Sequence, residues 1–199
     1  MQRSRGTTSL DLSDVYELID PLASNALRVD DDLSDEESMA LERGIPPARV
    51  VRCSRFQGRT PEDLVWGGVV VCLASERLLE LLTAHRVTGW TTYPVELVGA
   101  KKARIPGYRG LAVTGRCGPI QRERSRVVEL RAPSGGLAKE RIGLHFDPAS
   151  WDGSDVFFPH GTVHPFITAR VVALLERERV TNVGWERILD VRQLVYDED

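Results

Sequence analysis

The strongest constraint on this fold is one pattern written twice. Residues 66–97 and 156–191 each run through an apolar strand, a capped helix and an extended segment. In the first copy, Gly68–Leu73 (GVVVCL) is an apolar run of strand length, and Ser75 stands as an N-cap. Arg77–His85 then sets Leu78, Leu79, Leu81 and Leu82 on one helical face. Val87-Thr88-Gly89 stops this helix, and Trp90–Leu97 is extended. In the second copy, Phe166-Ile167 leads to Thr168 as N-cap, and Val171, Val172, Leu174 and Leu175 form the matching face. Val180-Thr181-Asn182 ends that helix, and Trp185–Val191 is extended. The offset is constant (170 − 77 = 93 and 179 − 86 = 93), and six of the twelve pairs from Arg77–Thr88 onto Arg170–Thr181 are identical. Each helix has a single apolar stripe, so each needs one sheet face to cover it. The expected fold is α+β: a mixed, largely antiparallel sheet with two main helices packed on it, built from two related strand–helix–strand units within one domain over residues 1–199.

An apolar fraction of 42% is enough for a core at this length. The net charge of −3 gives no global basic field and argues against a nucleic-acid partner. Arg3 and Arg5 are followed by polar Gly6–Ser9, so no secretory leader is expected, and the longest apolar run, Val69–Ala74, is too short to span a bilayer. Cys53, Cys72 and Cys117 are odd in number and unpaired in spacing, which suits reduced thiols in a cytoplasm.

Between these units the reading is more local. Met1–Ser9 is expected to fray, Val15–Ile19 to be a strand, and Asn25–Leu33 to be a solvated loop. Ser34 and Glu37 have capping-box spacing, which predicts a helix over Asp35–Arg43 stopped by Gly44. Arg49–Phe56 alternates as a strand, and Thr60–Asp63 looks like one helical turn with Pro61 at its first position. Tyr108–Thr114, Arg126–Leu130 and Ile142–Phe146 are expected strands, the last two separated by a Pro133–Gly136 turn. Trp151–Asp155 is a tight turn, His160–Pro165 a loop, and Arg192–Asp199 an acidic tail. Trp66, Trp90, Trp151 and Trp185 flank the repeated units as packing residues.

Several constellations could carry chemistry. His160 and His164 have the spacing of a metal pair, but Gly161 and Pro165 forbid the helix that would align them, so they are weak metal candidates and no cofactor is expected. Asp147, Asp152 and Asp155 cluster around a turn that needs such residues for its own geometry; with the two histidines they define the alternative reading, a metal-dependent hydrolase. The chain has an acidic lead, with 11 Asp and Glu against 5 Arg in residues 1–50, and a basic middle, with 11 Lys and Arg against 3 Glu in residues 101–141. The candidate partner-binding residues are therefore Lys101, Lys102, Arg104, Arg109, Arg122 and Arg124 on one side and Asp30, Asp31 and Asp32 on the other. Only Tyr108 interleaves the basic run, so a base-stacking platform is missing.

The order of short motifs resembles a known group. Trp66 precedes the apolar strand and Ser75–Leu79 (SERLL); then come Thr114–Pro119 (TGRCGP), Phe146–Ser150 (FDPAS), Ser154–Phe157 (SDVF), Thr168–Val172 (TARVV) and Val180–Val183 (VTNV). Over Leu64–Val191 this is similar to immunity proteins of bacterial polymorphic-toxin and outer-membrane-exchange toxin systems, in particular those named for a double Cys-x-x-Cys-Gly motif and their cysteine-poor relatives. Where the cysteine-rich members pair their thiols, this chain has only Cys53 and Cys117-Gly118. The resemblance implies a cytoplasmic, non-enzymatic protein that binds a cognate protein toxin and occludes it, with no catalytic residues and no membrane partner.

Overall fold

The computed structural model describes residues 10–68, 71–131 and 136–195. Among these residues the chain runs β1 (Val15–Ile19), β2 (Arg28–Asp31), α1 (Asp35–Glu42), β3 (Val51–Gln57), β4 (Leu64–Gly67), β5 (Val71–Ser75) and α2 (Glu76–Ala84). Next come β6 (Trp90–Tyr93), β7 (Val95–Val98), β8 (Arg104–Ile105), β9 (Tyr108–Val113), β10 (Gly115–Cys117), β11 (Arg126–Arg131) and β12 (Leu137–Ile142). The last elements are β13 (Val156–Pro159), β14 (Phe166–Thr168), α3 (Ala169–Arg177), β15 (Gly184–Arg187) and β16 (Arg192–Val195). The strands form three sheets ordered β6-β9-β5-β4-β2-β3-β7-β8, β10-β13-β14-β1-β15 and β11-β12-β16. Pairs β2·β4, β3·β7 and β10·β13 are parallel and the others antiparallel, so the fold is α+β with mixed, mostly antiparallel sheets, as the pattern predicts.

Register repeats along with sequence. Leu64 pairs with Ala74, and Val156 with Ile167. Leu73 and Tyr93 both pair with Gly110, while Phe166 and Glu186 both pair with Glu17. Thus β9 fills between β5 and β6 the place that β1 fills between β14 and β15, and Tyr108 stands 93 residues after Val15 (108 − 15). Each repeat gives its opening strand to the other's sheet, which ties the two copies together through backbone hydrogen bonds.

One core serves both helices. Leu78, Leu79 and Leu82 of α2 join Val171, Val172, Leu174 and Leu175 of α3, with Trp66, Trp90 and Trp185 packed around them. Each such buried aliphatic side chain contributes roughly 1.5–3 kcal/mol. A second core lies under α1 and the larger sheet around Leu41, Val51 and Leu73. A third gathers Phe146, Phe157 and Phe166, with Trp151 against it; the Phe146 and Phe157 rings meet edge-on at 5.8 Å. Local chemistry sets the helix ends. Ser34 and Glu37 form the expected capping box, and the Ser75 hydroxyl accepts from the Leu78 N–H at 3.2 Å. Both main helices end on a left-handed arginine, Arg86 and Arg179, each at φ 52°.

Several expectations are corrected. Asn25–Leu33 is not a loop: β2 lies between β4 and β3, because Leu27 and Val29 alternate inward while the aspartates conceal the pattern. Thr60–Asp63 is not a helical turn, since Thr60 donates its N–H to Asn25 and Asp63 is buried. Ile142–Phe146 is not the second hairpin strand; β12 ends at Ile142, and left-handed Gly143 turns Leu144 and Phe146 into the third core. Trp90–Leu97 splits at Pro94 into β6 and β7, and Trp185–Val191 stops as a strand at Arg187. The apolar run of the first copy begins β5 at Val71; residues 69 and 70 lie outside the described residues, as do Met1–Ser9, residues 133–135 of the expected turn, and 196–199 of the expected tail. The start of that tail, Arg192–Val195, is β16 paired with β12.

Candidate functional site

The two most elaborately bonded carboxylates clasp one copy to the other. Asp63 Oδ2 accepts from Arg77 Nη1 at 2.6 Å and from the Thr181 N–H at 3.0 Å, and Oδ1 accepts from Ser75 Oγ at 3.0 Å. Asp155 Oδ2 accepts from Arg170 Nη2 at 2.5 Å and from the Thr88 N–H at 2.9 Å. Arg77 also donates to the carbonyl of Glu178, and Arg170 to those of His85 and Arg86. Burial works to raise both carboxyls, but Thr181 with Arg77, and Arg170 with Thr88, outweigh it and hold each below the usual carboxylate range. The sequence carried a signal for these clasps: Arg77/Arg170 and Thr88/Thr181 are identical at the repeat offset, as shared acceptors require.

Each member of the alternative hydrolase set is engaged with a partner outside that set. Asp147 accepts from the Ala149 N–H at 3.0 Å, Asp152 from the Arg116 N–H at 2.8 Å, and Asp155 belongs to its clasp. The His160 backbone donates to Cys117, whereas His164 Nδ1 meets Glu17 Oε1 on β1. That bond raises His164 above its ordinary pKa against the pull of burial. Among the described residues no three His, Cys, Asp or Glu side chains gather as a metal site. Burial pushes the thiols of Cys53, Cys72 and Cys117 up to about 12, so none is a thiolate at neutral pH.

The candidate partner-binding residues form separate groups. Lys101 and Lys102 sit exposed in a left-handed turn, and Arg104 pairs with Glu96 at 2.6 Å on the β7–β8 corner. Arg109 on β9 donates to Thr92 at 3.1 Å. Arg122 and Arg124 lie in a short helical turn leading to β11, with Arg124 bonded to Gln121 at 3.1 Å. The acidic run answers a different cation: Asp32 and Glu37 both bind Arg49, at 2.9 and 2.7 Å, while Asp31 accepts from the Leu33 N–H and Asp30 is exposed.

Between the two copies lies an apolar cavity of about 60 Å³, lined by Leu18, Trp66, Cys72, Leu111, Phe158 and Pro165 among others. Val163 also lines a separate cleft of about 510 Å³ whose walls include Glu42, Arg43, Arg116 and His160. The remaining distinctive surface is the β11–β12–β16 sheet. Its register places Val128, Glu140 and Leu194 on one face, and Val127, Arg141 and Gln193 on the other. Leu137 is 78% exposed, Leu194 53% and Val127 51%. β11 is a sheet edge, exposed at five of its six positions.

No protein-family model matches this chain, and no curated protein matches it. Among the described residues no helix is long and apolar enough to cross a membrane. The chemistry most available to another molecule is the exposed apolar side chains on the two faces of this small sheet and the cations along it: Arg126 and Arg131 on β11 and Lys139 on β12.

Proposed function

We propose that this chain is a non-enzymatic immunity protein that binds a cognate bacterial toxin in the cytoplasm and covers its active surface. The observation supporting this reading is β11, an edge strand exposed along nearly its whole length in a sheet that presents Val127 and Leu137 on one face and Leu194 on the other. Covering these exposed apolar side chains in an interface removes their surface from water and favours association. The unpaired backbone edge offers hydrogen bonds to an incoming strand, and the neighbouring Arg122, Arg124, Arg126 and Arg131 steer an acidic partner.

The test is co-expression with candidate bacterial protein toxins, beginning with any encoded beside this gene, followed by binding of the purified pair. Growth rescue and a stable complex are expected. Leu137→Asp combined with Leu194→Asp should weaken the complex at least tenfold, while changing stability by only about 0.5 kcal/mol because both side chains are exposed. Unchanged binding by this variant would exclude the small sheet as the contact face. A folded wild-type chain that neither binds nor rescues would remove the immunity reading itself.

A further inference from the structure

Each half of the chain is incomplete without the other, and a single link joins them. Among the described residues, β1–β8 with α1 and α2 make a first half over 10–106, and β9–β16 with α3 a second over 107–195. Each half places one strand in the other's sheet: β1 lies in β10-β13-β14-β1-β15, and β9 lies in the larger sheet between β5 and β6. Both guest strands are internal, paired on either side. Parting the halves would therefore open each sheet in its middle and expose the core that α2 and α3 share. Each clasp crosses this seam, from Thr181 to Asp63 and from Thr88 to Asp155. Trp66 Nε1 also donates to the Asn182 carbonyl at 2.8 Å, and Asn182 Nδ2 to that of Leu64 at 2.8 Å. None of these contacts depends on which chain supplies the partner half.

The link itself is a short bend. β8 ends at Ile105 and β9 begins at Tyr108, so Pro106 and Gly107 alone lie between them. Gly107 takes φ 82°, the left-handed conformation that a tight turn asks of a glycine after a proline. An added Cβ there would meet only the Glu76 carboxylate, at 3.8 Å and beyond, so the backbone conformation and not the space calls for glycine. Pro106 is exposed, and the Glu76 N–H donates to the Gly107 carbonyl at 2.9 Å, a bond between halves that either chain can supply. Turning Gly107 to an extended conformation costs a glycine little and carries β9 away from its own first half. The fixed φ of Pro106 suits the extended form, and short hinges of this kind invite exchange between chains.

We propose that two copies of this chain exchange halves, opening at Pro106-Gly107 so that residues 10–106 of each chain fold with residues 107–195 of the other. The partner is a second copy because it presents the guest strand in register together with both clasps. The linked halves meet at an effective concentration on the order of millimolar, so dilute chains close on themselves and concentrated ones exchange. The β11–β12–β16 sheet is built from second-half strands alone, so the exchange is independent of toxin binding.

Paired cysteines across the seam test it. Tyr16 on β1 faces Arg187 on β15, and the bond from the Ile188 N–H to the Val15 carbonyl makes 16 and 187 a non-hydrogen-bonded pair, the closer kind, within disulfide reach. The full chain with Tyr16→Cys and Arg187→Cys is refolded from urea at micromolar and at millimolar concentration, diluted, and then oxidised. Micromolar refolding should give a monomer with its new disulfide inside one chain. Millimolar refolding should also give a dimer that survives SDS until reductant is added. Gly107→Pro, which fixes φ near about −65° and excludes the left-handed bend, should raise the dimer share about tenfold. Thr92→Cys with Leu111→Cys, across β6 and β9, repeats the measurement on the other guest strand and guards against damage to β1 by the first pair. A dimer that separates in SDS without reductant would overturn the exchange and leave edge pairing in its place. Monomer alone after millimolar refolding would also overturn it, and an unchanged dimer share in Gly107→Pro would overturn the hinge.

Discussion

The two copies of the repeat agree where they hold each other and differ where one is closed. In both, an aspartate just ahead of a strand accepts from an arginine in the first turn of the following helix and from a threonine of the opposite copy. In both, the helix ends on an arginine at φ 52°. The third residue of the exchanged strand breaks the agreement. In β9 it is Gly110, on which the Tyr93 ring lies so closely that an added Cβ would overlap the ring, 2.1 Å from its Cζ. In β1 it is Glu17, which faces Glu186 and bonds to His164. The shared features are those that fold the chain. The unshared ones leave the second copy polar where the first is sealed.

Breaking the clasps should have the largest effect. Asp63→Ala and Asp155→Ala each strand several donors in a largely buried setting, so each should cost about 3 kcal/mol at pH 7 in urea denaturation. The two losses should agree within about 1 kcal/mol; a much smaller loss at either site would end the equivalence. Both carboxyls titrate below their ordinary range, so their stabilisation is complete above the unfolded value near 3.9 and is lost as pH falls through the folded values. The double variant should therefore show a shallower loss of stability in acid than the wild type.

The difference between the copies can be tested from the closed side. Gly110→Ala drives a methyl group into the Tyr93 ring and should cost about 2 kcal/mol. Adding Tyr93→Leu, which opens the same space, should restore part of that loss. At the matching position of the second copy, Glu17→Ala adds no overlap and should cost about 1 kcal/mol or less through its lost hydrogen bond. If Gly110→Ala proves neutral, the first copy is not sealed by this contact.

Much of this architecture was written locally, and much of the site was not. The apolar stripes and caps of α2 and α3 marked both helices within a residue or two, and the Ser34–Glu37 box marked α1, because those signals lie within one or two turns. β2 was hidden because only Leu27 and Val29 show its inner face while Asp30–Asp32 suggest a solvated loop. β12 was misplaced because Leu144 and Phe146 alternate like a strand, yet the Leu144 N–H and His145 carbonyl bond to Ile188 and Gln121. Asp63 finds its partners 14 and 118 residues away, and His164 meets Glu17 across 147 residues. No spacing rule spans such distances; they follow from the strand exchange between the repeats.

The smallest expected effect probes the polar pair of the second copy directly. The bond from Glu17 holds His164 above its ordinary value, so this pair stabilises the fold fully below the unfolded value near 6.5 and loses that contribution as pH rises through the folded value. His164 is 35% exposed, so solvent screening limits the effect to about 0.5 kcal/mol. His145 acts in the opposite sense: burial and Arg124 favour its neutral form, so its contribution fades as pH falls. A total stability curve mixes the two, and only a difference against a variant separates them. Glu17→Gly with His164→Val gives the second copy the residues that the first copy carries at Gly110 and Val71. Relative to wild type, this double variant should lose more stability at pH 6 than at pH 8, measured by urea denaturation at both values. An equal loss at both pH values would mean that the His164 charge adds nothing to the stability of the second copy.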